Sequence, residues 1–203
     1  MNSGEYWLKL YPRLRARAYT ALLSRQLGSA GRGVVISPPL RFANLQYVHL
    51  GDGVTIHRDS WIHVLTPRLG HPAPQLVIGP FSSIGMGATI SAAADVVLGR
   101  HVLLARNVYI SDHGHAYEDL QLPIMDQGIT EAKRTSIGDE TWLGQNVCVL
   151  PGVQIGRHCI IGSNSTVTRD VPDYSVAVGS PARVVKRYDL LKQRWIASNA
   201  QRD

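Results

Sequence analysis

Ile137-Gly-Asp-Glu-Thr-Trp142, Leu143-Gly-Gln-Asn-Val-Cys148, Val149-Leu-Pro-Gly-Val-Gln154, Ile155-Gly-Arg-His-Cys-Ile160, Ile161-Gly-Ser-Asn-Ser-Thr166 and Val167-Thr-Arg-Asp-Val-Pro172 follow one another without a gap. Each hexapeptide opens on an aliphatic residue, and the residue four later is small or β-branched: Thr141, Val147, Val153, Cys159, Ser165, Val171. A six-residue period of this kind is the signature of a parallel β-helix, in which every short strand covers one flat side of a prism. The aliphatic residue fills the interior, the smaller one fits near a corner, and glycine at the second position supplies turn conformations. One coil cannot bury its own inner face, so stability comes from stacking. Helical spacing of three and four, or strict alternation of two, is absent from the stretch.

Outward from this stretch the period weakens and is interrupted. Ile78-Gly-Pro-Phe-Ser-Ser83, Ile84-Gly-Met-Gly-Ala-Thr89, Leu98-Gly-Arg-His-Val-Leu103, Leu104-Ala-Arg-Asn-Val-Tyr109 and Ile110-Ser-Asp-His-Gly-His115 keep it, with a slip of two residues around Ala92 to Val97. Leu50-Gly-Asp-Gly-Val-Thr55 and Ile56-His-Arg-Asp-Ser-Trp61 are earlier units. Thr66 to Pro74, rich in proline, marks one excursion from the coil, and Ala116 to about Ser136 marks a second. An insertion that leaves a solenoid and returns in register is a surface loop, often on the binding face.

The two ends are of different material. Leu10, Tyr11, Leu14, Ala18, Ala21 and Leu22 have helical spacing, so a helix is expected from about Pro12 to Leu27, with Pro12 in its first turn and Gly28 as its stop. Lys9, Arg13, Arg15, Arg17 and Arg25 make its other face basic, which suits a solvated capping helix or peripheral association with a membrane. From Tyr188 onward, Leu191 and Trp195 predict a closing helix. The expected organisation is a helical cap over 1–28, a β-helix over 29–186 and a helical tail over 187–203.

With 203 residues, one domain is the natural prior, and 44% apolar residues can fill a narrow core. There is no apolar run of membrane-spanning length and no secretory leader pattern, so a cytoplasmic location is expected. Cys148 and Cys159 offer no disulfide framework. The net charge of +6 favours an anionic partner. Basic residues recur along the chain without any recognisable nucleic-acid module, so nucleic acid is not the expected partner.

Three segments resemble a known family: Ser111-Asp-His-Gly-His115, Ile137-Gly-Asp-Glu-Thr-Trp-Leu-Gly144, and the pair Val167-Thr-Arg-Asp-Val-Pro172 with Gly179-Ser-Pro-Ala-Arg183. Over roughly Leu50 to Lys186 the chain is similar to the hexapeptide-repeat acyltransferases, in the branch of maltose, galactoside, nodulation-factor and lipopolysaccharide O-acetyltransferases. The resemblance implies an all-β, left-handed parallel β-helix, a homotrimer, and acetyl-CoA bound between neighbouring subunits. It implies His113 as catalytic base, with His115 as the competitor for that role. It places donor contacts at Trp142, Gly144, Gln145, Ser163, Thr168, Arg169, Arg183 and Lys186. Asp112, Tyr117 and Glu118 are candidates for acceptor contacts, and Asp112 or Glu118 for orienting the imidazole.

The residue types suit acyl transfer from a thioester to a hydroxyl. Histidine titrates near neutrality and can take the hydroxyl proton and return it to the departing thiolate. Arginine and lysine match the phosphates of CoA, and glycine at 144 would let the thioester arm approach the backbone. An asparagine that touches the acceptor in small-sugar relatives is missing around Gly85-Met-Gly87. Together with the basic helical N-terminus and the long loop, this departure favours a glycan, a lipid-linked sugar or a sugar nucleotide as acceptor. The expected activity is O-acetylation of a sugar hydroxyl in a cell-surface polysaccharide or its precursor. The alternatives are N-acetylation of a nucleotide-linked amino sugar, a zinc protein like the γ-type carbonic anhydrases using His57, His63, His101, His113 or His115, and a non-catalytic trimeric scaffold.

Overall fold

A computed structural model describes residues 3–67 and 72–198. Its strands are two to five residues long in the coils, and they stack into three parallel sheets that form the sides of a prism. Face one runs through Ser29–Ala30, Val48–Leu50, Gln75–Ile78, Asp95–Leu98, Thr135–Ile137 and Gln154–Ile155. Face two runs through Val35–Ile36, Thr55–Ile56, Ser83–Ile84, Leu103–Leu104, Trp142–Leu143, Ile160–Ile161 and Ser175–Gly179. Face three runs through Leu40–Ala43, Ser60–Val64, Thr89–Ala92, Tyr109–Ser111, Cys148–Val149 and Thr166–Val167.

The first residue of each hexapeptide points inward, and successive coils place these residues in line. Ile56, Ile84, Leu104, Leu143 and Ile161 register on face two. Ile62, Ile90, Ile110, Val149 and Val167 register on face three, and all ten are at most 1% exposed. The small residue four later has a second function that spacing alone does not reveal. Thr141 Oγ1 donates to the Gly156 carbonyl (2.8 Å) in the next coil and accepts from Cys159 N–H (3.0 Å). Ser82 repeats this geometry, bonding the Gly99 carbonyl (2.9 Å) and Val102 N–H (3.0 Å). Each hydroxyl thus ties one corner to the next and satisfies two backbone groups that the turn leaves unpaired.

Other corners are braced from outside. Asn107, Asn146 and Asn164 stand above one another at φ of 56°, 57° and 60°, a left-handed conformation that asparagine tolerates. Their amides form a ladder at 3.2 and 2.9 Å. Asp52, Asp139 and Asp173 accept the backbone N–H of Arg32, Arg100 and Arg157 in the preceding coil.

All three irregularities legible in the sequence lie at the corner where face three turns to face one, as does a further two-residue insertion between Leu40–Ala43 and Val48–Leu50. The first excursion joins Ser60–Val64 to Gln75–Ile78, the two-residue slip is Ala93-Ala94, and the second excursion joins Tyr109–Ser111 to Thr135–Ile137. A short 3-10 turn, Ile124–Asp126, is the regular element of that loop.

The ends differ from expectation. Helix α1 spans Ser3–Leu23, so Pro12 lies inside it and not in its first turn. Leu27 lies beyond the helix but is still buried. The expected helical tail over 187–203 is corrected. Ala182–Asp189 and Arg194–Ala197 form an antiparallel hairpin that extends face two, while 199–203 lie outside the described residues. Asp189 makes the turn by accepting Leu191 and Lys192 N–H at 3.0 Å each, and the Tyr188 and Trp195 rings meet edge to face across the pair at 5.4 Å. The four-residue spacing of Leu191 and Trp195 therefore comes from a reversal of the chain.

The corner hydroxyls generate a prediction. Thr141→Val keeps shape and volume yet strands the Gly156 carbonyl and Cys159 N–H in a buried corner. Urea titration is expected to show a loss of about 1–3 kcal/mol for each stranded group, whereas a loss below ~0.5 kcal/mol would mean that the hydroxyl does not tie the coils.

Candidate active site

Chain geometry at the face three to face one corner brings two imidazoles together. Registered strands align His63, Ser91 and Ser111 across three successive coils, and His113 follows two residues after Ser111. His63 stacks on Trp61 (centroids 5.3 Å apart, planes at 15°) and its Nδ1 lies 3.4 Å from Ser91 Oγ. Burial, and then the nearby His113, hold the His63 imidazole below the usual histidine range.

His113 is held from behind. Its Nδ1 lies 2.7 Å from Asp112 Oδ1, and its backbone is fixed by Ser111 Oγ, which donates to the His113 carbonyl (2.8 Å) and accepts from its N–H (3.3 Å). The Asp112 side chain has no exposed surface, and that of His113 is 11% exposed. Two further donors reach the Asp112 carboxyl: Ala93 N–H (2.8 and 3.1 Å to its two oxygens) and Ala94 N–H (2.8 Å). A carboxylate is an acceptor only, which matches three surrounding donors and sets the proton of His113 on Nδ1. Nε2 is then the basic nitrogen, and the imidazole is presented in one tautomer and one orientation.

The two extra residues that disturb the repeat at Ala93-Ala94 thus supply the seat of the buried acid. The sequence leaves Asp112 and Glu118 open as partners of the imidazole, and the geometry selects Asp112. Glu118 instead accepts the N–H of Tyr117 at 3.2 Å. As an acceptor contact Asp112 is corrected, because its carboxyl is fully enclosed and its oxygens are taken. His115 is exposed on the loop, in a bridge with Ile129, and Tyr117 and Glu118 are exposed beside it. Lys133 N–H returns the loop to the coil by bonding the Asp112 carbonyl (2.7 Å).

The expected donor residues lie on face two and at both edges of face three. Trp142 is 45% exposed on face two, and Ile160, Val176 and Lys186 stand in line with it. Gln145 and Ser163 are exposed at the edge toward face three, with Gln145 N–H bonded to Ser163 Oγ (3.2 Å). Arg169 and Arg183 line a shared cleft of about 130 Å³. Thr168 is exposed beside Arg169. Gly144 is corrected: it is buried, and a Cβ there would lie 2.7 Å from Ser163 N and 2.9 Å from the Ile161 carbonyl. Glycine at 144 therefore serves coil-to-coil packing and does not open a path for a ligand. Exposed bases, an exposed indole and a cleft fit a polyphosphate ligand with an apolar arm.

One protomer does not join these two groups of residues. His113 stands where face three ends, whereas Gln145 and Ser163 stand where face three begins. A face is roughly six extended residues wide, about 20 Å. Among the described residues, no group of three or more His, Cys, Asp or Glu side chains is arranged around a metal-sized site.

Comparison with known proteins extends the picture. Residues 134–169 match the family model described as bacterial transferase hexapeptide (six repeats). A Mycobacterium tuberculosis protein named as a probable acetyltransferase is 38% identical over 202 residues, covering 97% of this chain and 60% of the relative. An Escherichia coli protein named for O-acetyl transfer in lipopolysaccharide biosynthesis is 36% identical over 112 residues, covering 52% of this chain and 57% of the relative. The chain thus spans somewhat over half the length of these relatives. In fold it is similar to a Bacillus cereus N-acyltransferase variant crystallised with dTDP-4-amino-4,6-dideoxyglucose and coenzyme A (TM-score 0.70, 18% identity, 86% of this chain and 91% of that one). It is also similar in fold to a maltose O-acetyltransferase from Clostridium difficile (TM-score 0.55, 24% identity, 90% and 89%). Six-residue repeats stacked into a prism, the family match on the most regular coils and one relative aligned along 97% of this chain make it similar to the hexapeptide-repeat acyltransferases, and it shares their left-handed parallel β-helix fold.

Proposed function

We propose that this protein is an acetyl-CoA-dependent O-acetyltransferase acting on a sugar hydroxyl of a cell-surface polysaccharide or its precursor. The observation that carries the reading is the buried Asp112 carboxyl 2.7 Å from His113 Nδ1, which leaves Nε2 as a base at the rim of a loop. Acetyl-CoA supplies the acyl group as a thioester. His113 Nε2 removes the acceptor hydroxyl proton as the oxygen attacks the thioester carbonyl carbon. When the carbon–sulfur bond breaks, His113 returns that proton to the leaving sulfur, so the base is regenerated in each cycle. Asp112 favours the imidazolium that forms in between and keeps the ring from turning. Asp112 is therefore a positioning residue, since it acts through His113.

The donor is assigned to Trp142, Gln145, Ser163 and Thr168 along its arm and to Arg169, Arg183 and Lys186 at its phosphates. Because the base lies at one edge of face three and Gln145 and Ser163 lie at the other, we assign the part of the donor wall that faces His113 to a neighbouring copy in a homotrimer. Tyr117 and Glu118, on the loop beyond the base, are assigned to the acceptor. The relative named for lipopolysaccharide O-acetyl transfer supports a carbohydrate hydroxyl.

His113→Ala is expected to lower acetyl transfer by about 10²–10⁴-fold with CoA binding retained, read by free-thiol release and calorimetry. Turnover at the wild-type rate would remove the base assignment, and transfer to amino sugars in preference to hydroxyl sugars would replace O-acetylation by N-acetylation. Asp112→Asn is expected to lower kcat by at least about tenfold while the donor KM is unchanged, because an amide can donate to Nδ1 and so favours the wrong tautomer. Equal loss in donor binding would point to a collapsed corner instead.

His63 generates a pH prediction. Its folded form takes a proton at lower pH than its unfolded form. Its contribution to stability is therefore complete above the ordinary histidine range, near about 6.5, and is lost as pH falls toward its depressed value. Urea midpoints of wild type are expected to fall between neutral and mildly acidic pH, and those of His63→Gln to fall less. Parallel curves for the two proteins would exclude His63 as a source of the acid sensitivity.

A further inference from the structure

Helix α1 has two apolar stripes, and only one of them touches the prism. Ala16, Thr20 and Leu23 are buried against the first coil, where Thr20 Oγ1 accepts from Ile36 N–H at 2.7 Å. On the other side Tyr11, Leu14, Ala18 and Leu22 follow helical spacing and all are exposed, Tyr11 by 64%, Leu14 by 49% and Leu22 by 62%. Arg15 is exposed beside this second stripe, Arg13 and Arg17 are exposed on the flank between the two stripes and Arg25 is exposed just past the helix, and among the described residues none is paired with an acid. Arg15 also lines a groove of about 390 Å³ with Tyr11, Pro38, Pro39, Arg58 and Met86.

Positive charge is concentrated at this end. Residues 1–51 hold seven Lys and Arg against one acid, Glu5, while the remaining 152 residues hold fourteen of each. The whole formal charge of +6 therefore belongs to the first quarter of the chain.

We propose that α1 is a docking surface for an anionic lipid bilayer. The helix lies in the headgroup plane, with Tyr11, Leu14, Ala18 and Leu22 toward the acyl chains and its arginines among the phosphates. No helix among the described residues is long and apolar enough to cross a membrane, which agrees with a surface position. A second copy of this chain is disfavoured as the occupant, since it would bring two ends of the same high charge together. Nucleic acid would answer the arginines but leave Leu14 and Leu22 in water.

Flotation of the full chain with vesicles tests the assignment. Binding is expected to vesicles containing phosphatidylglycerol and not to pure phosphatidylcholine, and to weaken at about 1 M salt. Leu14→Ser with Leu22→Ser is expected to lower partitioning at least about tenfold, and Arg13, Arg15 and Arg17→Gln together about 100-fold. Both variants leave the buried stripe intact, and an unchanged melting temperature verifies their folding. Equal partitioning to the two vesicle types, or full binding by the leucine variant, would overturn the proposal. So would a leucine variant that dissociates an oligomer in the absence of vesicles, which would give the face to a second copy.

Discussion

Eighteen residues wound once around a triangle expose three inner side chains above and below, and these are covered only when the next coil lies in register. Every other feature of the molecule answers to this constraint. Leu104 must meet Ile84 on one side and Leu143 on the other, so a slip of one residue would turn an entire column outward. Corner hydroxyls, asparagine ladders and aspartates that accept N–H groups from the preceding coil all act in the same direction, from one turn to the next. They hold the phase while the inner columns supply the burial.

The candidate site arises where the phase is allowed to lapse. Two additional residues, Ala93-Ala94, loosen one corner and turn a pair of N–H groups toward the coil that follows. Asp112 fills that seat at the point where its own coil is about to leave the prism, and His113 is the next residue out. An acid that would be costly inside a solenoid is thus compensated by the irregularity of its neighbour. The departing chain is anchored at both ends of the loop, by Ser111 on His113 and by Lys133 on Asp112.

These relationships determine what was legible in the sequence. Periodicity located the coils, both excursions and the slip, because side-chain identity at every sixth position follows directly from burial. The family resemblance points to His113. The partnership of Asp112 with Ala93 and Ala94 had no legible signal, since backbone N–H groups bond it and alanine reports nothing about them. The glycine at 144 suggested room for a ligand, whereas its missing Cβ is needed by the next coil. At the carboxyl end, a spacing of four between Leu191 and Trp195 resembled a helix because the turn set by Asp189 brings Trp195 back beside Tyr188.

Both long excursions and the two-residue slip share one corner, and the other two corners carry no insertion among the described residues. Chain added at that corner re-enters the next strand without disturbing the columns, and the entropic cost of a longer closure grows only slowly. The fold therefore separates a fixed prism from one exchangeable edge. In the proposed reaction, loops grafted there would retune the choice of acceptor while leaving the imidazole, its acid and the opposite donor wall as they stand.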